Sequence, residues 1–140
     1  MMQHLITLLH EGNYSCVLQN ETGILSFTRR GVADLYDLYE NAPASLKDSA
    51  VADKVVGKAA AALMILGGVK SVYADVISSP ALHLLQHAEL PVEYMKEVPF
   101  IENRDKTGCC PLESTCLDIE SPTEIYPAIR QFIAQMRAKI

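Results

Sequence analysis

Apolar residues recur at helical spacing over residues 2–11, where Leu5, Ile6, Leu8 and Leu9 form one side of a helix ended by Glu11-Gly12-Asn13. Two β-rich runs follow, YSCVLQN and GILSFTR, separated by Asn20-Glu21-Thr22-Gly23, a short loop suited to a hairpin. Val32, Leu35, Leu38 and Tyr39 then predict a helix closed by Pro43, and LKDS reads as a polar loop. The strongest helical pattern covers Val51 to Leu66, VADKVVGKAAAALMIL. Its first half carries polar residues at 53, 54 and 58, and its second half is apolar all round, as in a helix covered by neighbours. Gly67-Gly68 reads as its C-terminal stop.

Beyond that stop, KSVYADVIS predicts a strand, Pro80 opens a short helix in PALHLLQHA, and LPVEYMKEVPF predicts another strand. Strand, helix, strand at this spacing implies a parallel pair with a right-handed crossover. Two helices are expected in the tail. One begins at Pro111, and the last follows Ser121 with Pro122 at its first position and a stripe of Ile125, Ile129, Phe132, Ile133 and Met136. The sum is one α/β domain over residues 1–140, a three-layer α-β-α sandwich on a mixed sheet with an N-terminal β-hairpin.

Composition changes this picture little: 140 residues, 49% hydrophobic and 21% charged, suit a single globular core. Charge is more informative, because 12 Lys plus Arg against 17 Asp plus Glu give a net charge of −5. Only local basic spots appear, at Arg29–Arg30 and at Lys54 and Lys58, so duplex nucleic acid is not an expected partner. The N-terminus reads as an amphipathic helix and not as a signal peptide. The longest apolar run, Ala59 to Leu66, is far short of the roughly 20 residues that cross a bilayer. The expectation is a cytoplasmic protein with no membrane partner and with reduced cysteines.

Three segments, SAVADKVVGKAAA, SVYADVISSPAL and NRDKTGCCPLE, resemble a small, uncharacterised prokaryotic family, a domain of unknown function that carries the cytidine-deaminase-like fold without its zinc ligands. The resemblance runs over nearly the whole chain and implies that fold. A zinc deaminase needs His or Cys with a nearby Glu where the central helix begins, and Pro-Cys-x-x-Cys where the next one begins, so that three ligands hold Zn²⁺ with one position open. Here the first stretch is VADKVVGK, and the second keeps Pro80 but has Ala81 and Leu84 at the cysteine positions. No zinc site and no cofactor are expected.

Four groups are candidates for chemistry. Asp53, Lys54 and Lys58 fall at the expected entrance of the central helix, where cations break the local rule set by the helix dipole. There they either hold an anion with the helix N–H groups or form a solvated face. In GCCPLE, Cys110 takes the cap position, Pro111 the first helical position, and Glu113 the place of a capping-box acid. Cys110 is either a reactive thiol or a small residue packed at a helix entrance. Asn103, Arg104 and Asp105 follow a strand end, where open α/β sheets bind ligands, or else form an ordinary charged turn. His83 and His87 are one turn apart with no third metal ligand in view, and read as a solvated face.

The leading functional expectation is a non-zinc deaminase-fold protein that binds a small anionic metabolite or nucleotide, with a regulatory role. Lys54, Lys58 and Arg104 would hold the anion, and Asp53, Asn103 and Asp105 would orient it. One alternative is an enzyme of other chemistry in the same pocket, with Cys110 as nucleophile or Asp53 as general base. Another is a homodimeric interaction module.

Overall fold

The computed structural model describes residues 2–29, 32–101 and 110–138. The expected first helix and hairpin are present as α1 (Met2–Glu11), β1 (Cys16–Asn20) and β2 (Gly23–Phe27). The hairpin turn is held by Asn20, whose Oδ1 accepts from the N–H groups of Thr22 at 2.9 Å and Gly23 at 3.2 Å. Helix α2 (Ala33–Asn41) leads through a single 3-10 turn, Pro43–Ser45, to a segment that departs from expectation.

Residues read as the first half of a long helix form a strand, β3 (Ala50–Val56), and only Lys58–Gly67 is helical, as α3. The physical reason lies in position. β3 is interior to the sheet, with β1 on one side and β4 on the other, so apolar residues face both ways and the alternation that marks a strand is lost. Its Val51, Val55 and Val56 favour the pleated backbone, and Gly57 ends the strand as the N-cap of α3. Gly68 stops α3 in the left-handed conformation at φ 80°, where glycine carries no Cβ penalty.

Strand β4 (Ser71–Ser78), helix α4 (Ser79–His87) and strand β5 (Val92–Val98) follow as expected. Ser78 caps α4 by accepting from the Ala81 N–H at 3.2 Å. The sheet order is β2-β1-β3-β4-β5, with β1 antiparallel to both neighbours and β3, β4 and β5 parallel. Helices α5 (Pro111–Cys116) and α6 (Pro122–Ala138) complete the described chain.

The layers follow from which residues bury together. Leu5 and Leu9 of α1 pack on Val17, Ala50, Ala52 and Tyr73 on one face of the sheet. Helix α1 is pinned there because Asp75 accepts from the Tyr73 hydroxyl at 2.5 Å and meets His10 Nε2 at 2.8 Å. The opposite face buries Cys16, Leu18, Val51, Val72 and Ala74 against α2, α3 and α4. Helix α3 is buried continuously from Lys58 to Met64, because α2 and α4 flank it and α5 and α6 close over it. Burying Leu63 and Met64 completely contributes about 1.5–3 kcal/mol each. The result is an α/β three-layer sandwich.

Candidate functional site

Two cavities open near the carboxyl ends of the parallel strands, and α3 borders both. The first, about 690 Å³, lies between the start of β1, the starts of α2 and α3, the start of α5 and one face of α6. Most of its wall is apolar, including Leu35, Ile101, Leu112 and Phe132, together with Met136 from the expected α6 stripe. Asp34, Asp53 and Glu113 bring carboxylates to this wall, and Cys16 and Cys110 bring thiols.

Asp53 reaches the cavity from β3, not from a helix entrance, because strand residues alternate between faces and its Cβ lies on the side of its partner Cys16. Desolvation by burial raises its carboxyl to about 7, with the Asp75 charge adding to the effect. The Val55 N–H at 3.3 Å, the Lys54 N–H and the Cys16 thiol pull the other way by hydrogen-bonding the ionised form. Burial pushes the Cys16 thiol well above its ordinary value, and the neighbouring Asp53 and Asp34 add to this. Cys16 is therefore a packed thiol and no nucleophile at neutral pH.

Glu113 is the feature that sequence reading placed in the wrong role. Cys110 is the N-cap of α5 and Pro111 its first residue, as expected, yet Glu113 does not turn back to cap its own helix. Its Oε2 accepts from the backbone N–H of Lys58 at 2.6 Å and so caps α3 across 55 residues of sequence. This is possible because residue 57 has no side chain: a Cβ there would sit 2.7 Å from Glu113 Oε2. A carboxylate at this end also complements the helix dipole. Glu113 is only 3% exposed, and its other oxygen, Oε1, is buried without a hydrogen-bond partner among the described residues. The nearby Cys116 thiol is raised to about 11, first by burial and then by the Glu113 charge.

Among the described residues two cations line this cavity, and both are engaged. Arg29 Nε donates to Asp34 Oδ1 at 2.7 Å and its Nη2 to Asp37 at 3.1 Å, and Lys54 Nζ donates to Asn13 Oδ1 at 2.8 Å. Lys58, expected to act beside Asp53 and Lys54, sends its side chain elsewhere. It lines the second cavity, about 560 Å³, with Ser79, His83, His87, Leu117 and Glu120. Asp53, Lys54 and Cys110 thus share one cavity, and Lys58 belongs to another. Asn103, Arg104 and Asp105 lie outside the described residues.

At the entrances of α2 and α3 the first cavity is bordered by Val32, Ala33, Asp34, Gly57, Ala59 and Ala60, which offer neither thiolate nor imidazole, and among the described residues the thiol at the entrance of α5 is Cys110 alone. Among the described residues no three of His, Cys, Asp and Glu gather as a metal-ligand group. Among them, too, no helix is long and apolar enough to cross a membrane.

Residues 4–133 match the family described as TM1506, a domain of unknown function (DUF1893), and the chain belongs to that family. The fold is similar to the crystal structure of a DUF1893 family protein (TM1506) from Thermotoga maritima. The TM-score is 0.82 at 26% sequence identity, covering 96% of this chain and 88% of that one. No curated protein matches the chain.

Proposed function

We propose that this chain is a ligand-binding protein of cytidine-deaminase-like architecture that works without zinc. Its first cavity takes a small molecule with an apolar body and a hydrogen-bond-donating end, such as an amine, an amidine or the amino edge of a heterocycle. The observation that carries this reading is Glu113, a carboxylate in the cavity wall whose buried Oε1 has no hydrogen-bond partner among the described residues. A buried polar atom left unpaired costs about 1–3 kcal/mol, which a donor from a ligand would recover. Asp53 adds a second acceptor on the same wall, and the apolar lining supplies burial for the rest of the molecule.

The architecture supports the deaminase-like assignment: helix, hairpin, then helices alternating with parallel strands, with the cavity at the entrance of the central helix α3. The anion expected from sequence suits this cavity less well. Among the described residues its lining carries three carboxylates, its two cations are already hydrogen-bonded, and Lys58 lines the other cavity. One observation favours the enzymatic alternative within the same cavity. Asp53 exchanges its proton near neutrality, as a general acid or base would, and Cys110 lines the same wall.

The test is a thermal-shift panel of small amines, amidines and amino-heterocycles. A ligand at a hundred times its Kd adds about 2.7 kcal/mol, which raises Tm by several degrees. The rise should shrink in Glu113→Gln, whose amide keeps the bulk but loses the charge. A panel without a single shift, or a shift indifferent to Glu113→Gln, counts against the reading. A compound consumed on incubation, with its consumption lost in Asp53→Asn and its binding kept, would move the assignment to catalysis.

A further inference from the structure

The second cavity is lined by neither Glu113 nor Asp53, and it has the opposite chemistry. We propose that it binds a phosphoryl group, either as free phosphate or as the head of a phosphomonoester, between Lys58 on α3 and the imidazoles of His83 and His87 on α4.

Lys58 is a buried cation with little compensation among the described residues. Its side chain is 4% exposed, and its Nζ donates to the Leu117 carbonyl at 3.0 Å. Among the described residues its nearest carboxylate is Glu120 Oε1 at 3.9 Å, on a side chain that is itself 89% exposed. Desolvating an ammonium costs several kcal/mol unless a close, well-placed anion repays it, and a solvent-bathed carboxylate at that distance repays little. An ammonium has three donors, and one carbonyl and one distant carboxylate leave it short of close acceptors. The missing charge is best supplied from the cavity that Lys58 lines.

Across that cavity, His83 and His87 stand one helical turn apart, so both rings come to the same wall. Ser79 is also on the wall, with its hydroxyl donated to Glu97 Oε2 at 2.6 Å. The charged and titratable groups around the site are therefore Lys58, His83 and His87, opposed by Glu120 and, behind Ser79, by Glu97. A tetrahedral dianion with several acceptor oxygens can meet both walls at once, which a single carboxylate does less well.

The experiment titrates the full chain separately with inorganic phosphate and with methyl phosphate, reading the imidazole resonances by NMR at about pH 6 and about pH 8. The resonances of His83 and His87 should move saturably, while His4 and His10 serve as internal controls. The double variant His83→Gln, His87→Gln should weaken binding of both probes by about tenfold or more at the lower pH. Lys58→Met should weaken binding at both pH values. Because Lys58 is buried, the exposed histidine pair provides the variant least coupled to folding. Saturation by both probes identifies a terminal phosphoryl group, and saturation by phosphate alone identifies the free ion; either supports the site. No saturation by either probe into the tens of millimolar, or binding untouched by both sets of substitutions, overturns it.

Discussion

The two cavities are built from neighbouring elements and meet at one residue, yet they treat charge in opposite ways. In the first, the charged groups belong to the architecture: Glu113 caps α3 from another helix, and Asp53 is held by backbone N–H groups and the Cys16 thiol. In the second, the histidines are exposed and bear on no packing, and only the buried Lys58 is tied into the fold. Lys58 spans the division, its backbone N–H committed to the first cavity's glutamate and its ammonium to the second cavity. A polar group in a cavity wall can therefore be structural, ligand-directed or both, and its partners decide which.

The sharpest way to break this comparison is to remove the cap. Glu113→Ala leaves the buried Lys58 N–H without an acceptor and should cost about 2–3 kcal/mol, measured by urea unfolding. Gly57→Ala places a methyl group 2.7 Å from Glu113 Oε2, so it should displace the same carboxylate. The double variant should then be little worse than Glu113→Ala alone, since both act through one interaction. Full additivity would show that Gly57 matters for another reason.

The effect of Asp53 depends on pH, and its sign is opposite to that of a salt-bridged carboxylate. Folding raises the carboxyl from 3.8 to about 7, so the folded state binds more protons than the unfolded chain between those values. Stability should fall as pH rises through that window and level off above it. Asp53→Asn should flatten the profile, gaining stability relative to the parent near pH 8 and little near pH 4, with urea midpoints as the readout. A parent profile flat over that window would show that Asp53 stays ionised.

The smallest effects belong to the second cavity. Replacing exposed His83 and His87 by Gln should change stability by no more than about 0.5 kcal/mol. Lys58→Met should cost little or even stabilise, because a buried ammonium with weak compensation gives way to an apolar side chain of similar length. A large loss in Lys58→Met would show that the Leu117 carbonyl contact carries the α3 to α5 junction.

How far the sequence can be read follows from the range of the interactions involved. Elements defined by local signals were legible: the Asn20 to Gly23 hairpin turn, the Gly67-Gly68 stop, the Pro80 entrance to α4, and the Pro111 and Pro122 helix starts. β3 was not, because a strand covered on both faces has no alternation, and a run of Val and Ala joins smoothly to the alanines of α3. The site suffered from that error directly. With Gly57 taken as helix interior, Asp53, Lys54 and Lys58 were assigned to one helix end, whereas a strand and a helix start divide them between two cavities. Glu113 shows the other limit: Pro at the first helical position with Glu two residues later signals an N-terminal cap, but sequence cannot say which helix receives it. The family assignment was legible because it rests on several segments spread over the chain, and residues 4–133 match as one unit.

The outermost strand of the parallel half has a consequence for solubility. β5 is exposed at every position from Glu93 to Glu97, with Met95 at 77%, and its free edge could in principle recruit a strand from another molecule. Three of those five residues, Glu93, Lys96 and Glu97, are charged, so an added strand would crowd charged side chains along the junction. Those charges thus oppose growth of a fibre at that edge.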